Sequence, residues 1–266
     1  MTASWDAAFA ASKVSDTRFD VHYPEKWFQG PGAFGGLVFA SLGHAMAQAV
    51  NDPTRPLRNL QVQMCAPPGP AGQTIEVEVV RSGGRVSYTR GLMRSGDKVC
   101  AIVSGVFGGP MASDLDEAKM PMPTMPPIDD ITPMPISRAT PIFLEQFEVH
   151  VGQGGKPASS HHEAMAAAWI KLRETPHAWD PWLTLGLVDV LWPAILAKSD
   201  TFRRVGTISF SVNLMDHPAH LNPADRAVVL SESRLTQQGY SDEKNIIWGP
   251  HGEVLAIAHQ LVAIIQ

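Results

Sequence analysis

The chain has 266 residues, a net charge of -5 and a hydrophobic fraction of 44%. This composition is typical of one large globular domain or two smaller ones, and the acidic balance excludes the basic surface of a nucleic-acid-binding protein. No apolar run is long enough to span a bilayer, and the N-terminus lacks the basic leader and apolar stretch of a signal peptide. We therefore expect a cytoplasmic protein with no membrane or nucleic-acid partner.

The first half of the chain predicts one strand, one apolar helix and four further strands. Gly35 and Gly36 open a run of small and apolar residues at helical spacing, Leu37 to Val50, which the segment 51–53 ends. The strands are predicted from alternating apolar residues bounded by turn residues. They cover residues 17–23, 60–66, 73–81, 86–93 and 99–107.

Residues 109–141 have a different composition. They are rich in proline and methionine, most densely in Met120 to Pro127. Proline at this density excludes a continuous helix or a central strand, so we predict an extended linker laid over the surface. The predicted organisation is an N-terminal domain at 1–109, a linker at 110–141 and a C-terminal domain at 142–266.

The second half predicts the same kinds of element in the same order. A strand at 143–151 comes first, and 163–173 is ambiguous because alanine favours a helix while its end alternates. A helix from Trp182 to Leu196 is apolar on almost every side, which is typical of a buried helix. Four strands follow, at residues 207–214, 225–235, 243–248 and 254–265.

Asp189 lies in the middle of this apolar helix. A carboxylate there must be paired, hydrogen-bonded or neutral, because burying an isolated charge is costly. Pro193 removes the amide that would bond the carbonyl of Asp189, so the helix is predicted to kink. The structural interpretation is a carboxylate that caps a backbone amide or pairs with Arg203 or Arg204. The functional interpretation is a general base, or a group that orients a water molecule.

The two halves repeat with a period of roughly 150 residues, which indicates a tandem duplication. Val62 corresponds to Val212, and Ser95–Val103 corresponds to His251–His259. An antiparallel sheet around a buried helix, formed twice, predicts an α+β fold. The first helix carries His44 and no acid near the position of Asp189, so we expect one active site per chain.

The chain resembles the double-hotdog acyl-CoA thioesterases, of the acyl-CoA thioesterase II type or its shorter thioesterase-like relatives. The resemblance rests on Gly32 to Val38 (Gly-Ala-Phe-Gly-Gly-Leu-Val), the Pro-rich crossover and three polar residues of the second half. It implies a tandem double hotdog and a hydrolase of fatty acid metabolism. It also implies that Asp189, Thr207 and Gln260 activate a water that attacks the thioester of an acyl-CoA. No metal or bound cofactor is expected, since coenzyme A is part of the substrate.

Each of the other site candidates also has a structural interpretation. By alternation, Thr207 belongs to a solvated strand face with Ser209 and Ser211, and Gln260 could make only a structural hydrogen bond. Gly35 and Gly36 could expose amides that bind the oxyanion, or could simply allow tight helix packing. Which of the two helix starts supplies the oxyanion site stays open at this point.

Several weaker signals complete the set. The run His161-His162-Glu163 could indicate a metal site, but no third ligand has the right spacing. We therefore favour the interpretation as a pair of histidines in a loop. A group of arginines could meet the phosphates of coenzyme A or form a solvated sheet face. These are Arg81, Arg85, Arg90 and Arg94. Cys65 and Cys100 both fall in apolar strand-like runs and are expected to be two buried free thiols, with a single disulfide as the alternative.

Two alternative functions are considered beside hydrolysis. One is a hotdog hydratase or dehydratase on an acyl thioester, which usually needs a histidine paired with an acid; His259 beside Gln260 is the candidate. The other is a protein that binds acyl-CoA without catalysis. Two fused hotdogs already mimic the usual dimer, so a homo-oligomer, dimer or tetramer, is a further possibility.

Overall fold

The computed structural model describes residues 4–115, 117, 120–138, 140–215 and 219–265. In this part of the chain the α-helices are α1 (Trp5–Phe9), α2 (Gly35–Val50) and α3 (Pro181–Leu187). No helix within these ranges is long and apolar enough to cross a membrane. Cys65 and Cys100 are both free, but the prediction that both are buried is wrong for Cys65, which is exposed because the preceding strand ends at Met64.

The described residues form eight strands in the N-terminal half and six in the C-terminal half. Those of the N-terminal half are β1 (Ser12–Lys13), β2 (Arg18–Val21), β3 (Phe28–Gln29), β4 (Gly32–Ala33), β5 (Leu57–Met64), β6 (Gln73–Ser82), β7 (Val86–Ser95) and β8 (Lys98–Gly108). Those of the C-terminal half are β9 (Phe147–Gly154), β10 (Met165–Leu172), β11 (Arg204–Leu214), β12 (Ala227–Gln237), β13 (Tyr240–Trp248) and β14 (Val254–Ile265).

Twelve of these strands form one antiparallel sheet that runs through both halves. Its order is β1-β2-β6-β7-β8-β5-β11-β14-β13-β12-β10-β9, and β3 pairs with β4 separately. The halves meet where Asn59–Gln63 of β5 pairs with Ser209–Asn213 of β11. We call the sheet face that carries Leu60 and Val62 the inner face, because it packs on the helices, and the opposite face the outer face. The predicted α+β duplication is therefore confirmed.

The ambiguous segment 163–173 forms strand β10. Ala166, Ala167 and Ala168 are completely buried there. Burial between neighbouring strands and the core outweighs the helix preference of alanine, because tertiary context overrides intrinsic propensity.

The central strands of the two halves carry a β-bulge at the same position. The extra residue is Arg58 in β5 and Ile208 in β11. This shared bulge aligns Leu57 with Thr207 and, as the repeat predicted, Val62 with Val212. The second predicted correspondence is wrong by one residue: Val103, the partner of Val62, takes the place of Ala258, the partner of Val212, and not that of His259.

Helix α2 is the long buried helix of the molecule. It runs for 16 residues, begins at Gly35 as predicted, and ends where Asn51 takes a left-handed conformation. It packs closely on α3, because a Cβ atom at Gly43 would lie 2.8 Å from the ring of Trp182. Small residues thus let the two helices approach each other.

The predicted helix from Trp182 to Leu196 is wrong in its second half. Helix α3 has 7 residues and ends at Leu187, so Asp189 lies in the following turn. The chain then resumes as a 3₁₀ helix at Ala194–Lys198. Pro193 explains why the helix does not continue through residue 192, because it cannot donate a hydrogen bond and disfavours the helical conformation of Trp192, but it does not explain the earlier end at Leu187.

The linker lies on the outer face of the C-terminal half. Trp248 Nε1 donates to the carbonyl of Met120 at 2.8 Å, and His150 Nδ1 donates to that of Ile131, also at 2.8 Å. Met120, Met122 and Met125 pack against a small cluster on that face that includes Trp248. The Met- and Pro-rich composition therefore provides an extended strap that covers apolar side chains.

Candidate functional site

Asp189 lies at the start of α2, in contact with the other half of the molecule. A Cβ atom built on Gly35 would lie 2.4 Å from Asp189 Oδ2. Part of Asp189 remains accessible to water. Burial nevertheless raises its pKa to about 7, and hydrogen bonding from the Gly36 amide offsets part of the shift. Near neutral pH this carboxyl can therefore take up and release a proton.

Both predicted glycines are needed for this approach. At Gly36 an added Cβ would lie 2.4 Å from the carbonyl oxygen of Gly186 in α3. Gly35 leaves the space that the Asp189 carboxyl occupies. Tight packing and a carboxyl held at the helix start are thus the same feature, and the interpretation of Asp189 as an amide cap also holds.

The geometry distinguishes the two helix starts. Helix α3 begins with Pro181, and its Leu183 amide already donates to Asp180 Oδ1 at 2.8 Å. Helix α2 has no cap from the side chain of its own N-cap residue, Phe34, and its Gly36 amide donates to Asp189. Its positive end faces Asp189 instead, and amides at such a position can stabilise a developing negative charge.

Thr207 and Gln260 are joined by a hydrogen bond on the inner face. The Thr207 hydroxyl donates to Gln260 Oε1 at 3.3 Å, and Gln260 is buried. The bulge at Ile208 makes this possible, since it moves Thr207 off the outer face that carries Ser209. With its oxygen engaged, Gln260 directs its amide nitrogen elsewhere as a donor.

The three predicted residues therefore form two groups. Thr207 and Gln260 contact each other, whereas Asp189 is held by the start of α2. Within the described ranges no direct hydrogen bond joins Asp189 to either of them. All three belong to the C-terminal half, and their roles in catalysis stay predictions.

Glu243 is a buried acid that the sequence analysis missed. It lies on β13, directly opposite Gln260 of β14, and is completely buried. Its Oε2 accepts from the Ala194 amide at 2.6 Å, and its Oε1 accepts from the Ser241 hydroxyl at 2.7 Å. Burial raises the pKa of Glu243, against the hydrogen bonds that lower it. The available signal was the polar alternation of Ser241, Glu243 and Asn245, but sequence alone did not tell which face they occupy.

Two more polar atoms on this inner face lack a partner. Ser231 and Asn245 are paired residues of β12 and β13, and both are buried. Among the described residues neither Ser231 Oγ nor Asn245 Oδ1 has a hydrogen-bond partner. A buried polar group without a partner is costly, which suits a surface that receives a polar molecule.

The remaining candidates lie away from Asp189. His44 Nδ1 accepts from the Ala11 amide at 3.2 Å, and burial lowers the pKa of His44, so it fastens the N-terminal segment. Arg90 pairs with Glu78 on the outer face at 2.7 Å. The segment 161–163 is largely exposed. No group of three or more potential metal ligands occurs in the part of the chain that the structure describes.

Comparison with known proteins gives two family matches. The model of the acyl-CoA thioesterase N-terminal domain matches residues 23–109, and that of the C-terminal domain matches residues 114–264. A comparison with curated proteins finds no match.

Solved structures support the fold. A conserved protein of unknown function with a hot dog fold from Alicyclobacillus acidocaldarius is 22% identical, with a TM-score of 0.89 and coverage of 100% of this chain and 99% of that chain. A tesB protein of Mycobacterium avium subspecies paratuberculosis is 15% identical, with a TM-score of 0.79 and 98% of both chains covered. An acyl-CoA thioesterase II of Mycobacterium marinum is 16% identical, with a TM-score of 0.76 and 98% of both chains covered. The predicted hotdog fold is confirmed.

Proposed function

Since the chain belongs to the acyl-CoA thioesterase family, we propose that it hydrolyses the thioester of an acyl-CoA with a water held by Asp189, Thr207 and Gln260. Family membership supports thioesterase activity in general. The substrate carrier and the roles of the three residues are our proposal.

The observation that carries the proposal is the position of Asp189. It is a carboxyl with a pKa of about 7, placed at the start of a 16-residue helix. A base with a pKa near the working pH is well matched to removing a proton from water. The adjacent helix start is suited to stabilising the negative charge on the thioester oxygen.

The proposed reaction has two steps. Water gives a proton to Asp189 as its oxygen adds to the carbonyl carbon, and the charge on the carbonyl oxygen is stabilised by the positive end of α2 at Gly35 and Gly36. The carbon–sulfur bond then breaks, and coenzyme A leaves as a thiolate that takes up the proton held by Asp189, while the carboxylic acid product loses its own proton to solvent. Gln260, oriented by Thr207, donates to the attacking water or to the thioester oxygen.

A hydrolysis screen tests this proposal. Acyl-CoAs with about two to eighteen acyl carbons are incubated with the protein, and the released thiol is measured; loss of at least about a hundredfold in kcat is expected for Asp189→Asn. Asp180→Asn is the matched control, because burial raises the pKa of Asp180 to about 6 as well, yet it only caps α3. No hydrolysis by the wild type, or equal rates in Asp189→Asn, would contradict the proposal.

The hydratase alternative is weakened by one observation. His259 precedes Gln260 in β14 and therefore points to the outer face, away from Asp189. Crotonyl-CoA hydration measured on the same protein separates this alternative, and tight acyl-CoA binding without turnover would indicate the non-catalytic one. The predicted domain boundaries, the need for no cofactor, the cytoplasmic location and a homo-oligomer stay predictions.

A further inference from the structure

We infer that Glu243 is a positioning residue of the hydrolytic site, which fixes the turn of Asp189 relative to Thr207 and Gln260. This inference rests on the proposed function, since it assigns Glu243 a part in the geometry of that same site. Glu243 does not itself need to contact the substrate.

The turn that carries Asp189 is held weakly on its N-terminal side. At its entrance the hydrogen bonds are long: the Asp189 amide lies 3.5 Å from the Gly186 carbonyl oxygen, and the Val190 amide lies 3.3 Å from that of Leu187. Pro193 has no amide to donate. The position of this turn therefore depends on the contacts at its C-terminal end.

Glu243 provides that hold. Its Oε2 accepts from Ala194 at 2.6 Å and its Oε1 accepts from Ile195 at 3.4 Å, and these amides directly follow Pro193. Both belong to the first turn of the 3₁₀ helix, where amides have no partner within the helix. A carboxylate at this position makes charge-assisted hydrogen bonds, which are stronger than neutral ones.

The register of strands β13 and β14 places Glu243 beside Gln260. Glu243 is directly opposite Gln260 in the β13–β14 pair, and Gln260 in turn accepts from Thr207. The Glu243 side chain thus connects the segment of Asp189 to the strand next to Gln260, which is hydrogen-bonded to Thr207. Any shift of Glu243 would change the separation between Asp189 and Gln260.

The N-terminal half has no acid at the position equivalent to Glu243. Thr89 occupies the position equivalent to Glu243, since it lies opposite Gly105 as Glu243 lies opposite Gln260. Its hydroxyl donates to the Gly105 carbonyl at 3.2 Å, within the sheet. The scaffold therefore does not require an acid here, and the cost of burying the Glu243 carboxyl is offset by the amides that it accepts from.

The experiment compares the wild type with Glu243→Gln, Glu243→Ala and Thr89→Ala. We measure kcat and KM for the best acyl-CoA, and amide hydrogen exchange of the segment 188–196. Misplacement of the Asp189 turn is expected to lower kcat about tenfold in Glu243→Ala with KM within about twofold. Exchange of 188–196 is expected to accelerate about tenfold, while that of α2 is unchanged.

Glu243→Gln serves as the conservative variant. Its amide oxygen can still accept from Ala194, so we expect a loss of only about two- to threefold in kcat and a smaller acceleration of exchange. Thr89→Ala is expected to match the wild type in both readouts. If Glu243→Ala does not fold, Glu243→Gln decides by the same two readouts.

The results separate this inference from the proposed function. An active wild type, with kcat and exchange unchanged in the Glu243 variants, overturns the positioning role and leaves the function intact. A wild type that hydrolyses no acyl-CoA overturns the function. The exchange of 188–196 then still decides whether Glu243 holds the turn, and unchanged exchange overturns that as well.

Discussion

The two halves of the sheet share a backbone and differ in the side chains of the inner face. Where the C-terminal half has Thr207 next to its bulge, the N-terminal half has the buried Leu57. The next inner-face row in the C-terminal half is Phe210, Gln260, Glu243 and Ser233. The equivalent row in the N-terminal half is Leu60, Gly105, Thr89 and Val79.

The second row repeats the contrast. In the C-terminal half it is Val212, Ala258, Asn245 and Ser231. In the N-terminal half it is Val62, Val103, Gly91 and Val77. Strand pairing and bulges are common to both halves, so the scaffold does not demand the polar residues. The contrast teaches that the same scaffold carries a polar inner face in one half and an apolar packing face in the other.

The glycines show what the N-terminal half gained. A Cβ atom at Gly105 would lie 2.9 Å from Met46 Sδ, and one at Gly91 would lie 3.5 Å from Met46 Cε. The Met46 side chain of α2 thus fills the space that polar side chains occupy in the other half. A long helix lies directly on this sheet, whereas the short α3 leaves room for the Asp189 turn.

The largest expected effect tests the polar half. Replacing Gln260 with Ala removes the acceptor of Thr207 and the proposed donor to the water or thioester oxygen. We expect a loss of about a hundredfold or more in kcat, comparable to the removal of one oxyanion donor. Steady-state hydrolysis of an acyl-CoA measures it. Activity within about threefold of the wild type would contradict a role of the polar inner face of the C-terminal half in hydrolysis.

The second effect tests the packing half. Gly105→Ala forces a Cβ atom to within 2.8 Å of Thr89 Oγ1, so neighbouring side chains must shift. Overpacking of this kind typically costs about 1–3 kcal/mol. We expect lower stability in urea unfolding and a nearly unchanged kcat for the folded protein. A specific loss of kcat without loss of stability would place chemistry in the N-terminal half.

The third effect is the pH dependence that only the C-terminal half is expected to show. A base must be unprotonated, so kcat/KM should rise with pH through the Asp189 pKa of about 7. Below that value the rate should fall about tenfold for each pH unit. The residual rate of Asp189→Asn should show no such dependence. A wild-type profile that is flat from pH 5 to 8 would contradict the assignment of Asp189.

The same raised pKa has a consequence for stability. The folded state binds the Asp189 proton more tightly than the unfolded state, whose pKa is near 3.8. Stability from this group is therefore fully present below pH 3.8 and is lost as the pH rises through about 7. In Asp189→Asn this part of the pH dependence should be absent from unfolding curves.

The smallest effect concerns the ion pairs of the two halves. Burial acts to raise the pKa of Glu148, but hydrogen bonds from Arg226 and His150 hold it at about 2. We expect Glu148→Gln to cost about 1 kcal/mol at pH 7, allowing for its partial exposure. This stability is present above pH 4.5 and is lost as the pH falls through about 2. Thermal unfolding of the wild type and Glu148→Gln, at pH 7 and at a pH of about 2, measures this loss of stability.

Glu78→Gln is the matched variant in the N-terminal half. Its ion pair with Arg90 is exposed on both sides, with side-chain exposures of 57% and 69%. Exposed pairs contribute little, so we expect a change below about 0.5 kcal/mol. Equal losses in Glu148→Gln and Glu78→Gln would remove this difference between the halves.

The sequence by itself determined the duplication, the α+β class, helix α2 and the linker. These follow from periodicity, proline content and repetition, which are local or pairwise properties of the chain. It also marked Asp189, because a carboxylate in an apolar run is unusual wherever the helix ends. The end of α3 at Leu187 was missed, since apolar residues continue past it and their pattern carries no stop signal before Pro193.

Only the tertiary structure decided which polar residues share a face. Alternation placed Thr207 with Ser209 and Ser211, and the bulge at Ile208 reversed that assignment. The tertiary structure also placed Asp189 against Gly35 of the other half and Glu243 against the amide of Ala194. The physical reason is that strand register and the packing of distant helices depend on the whole core, whereas a sequence pattern reports only its neighbours.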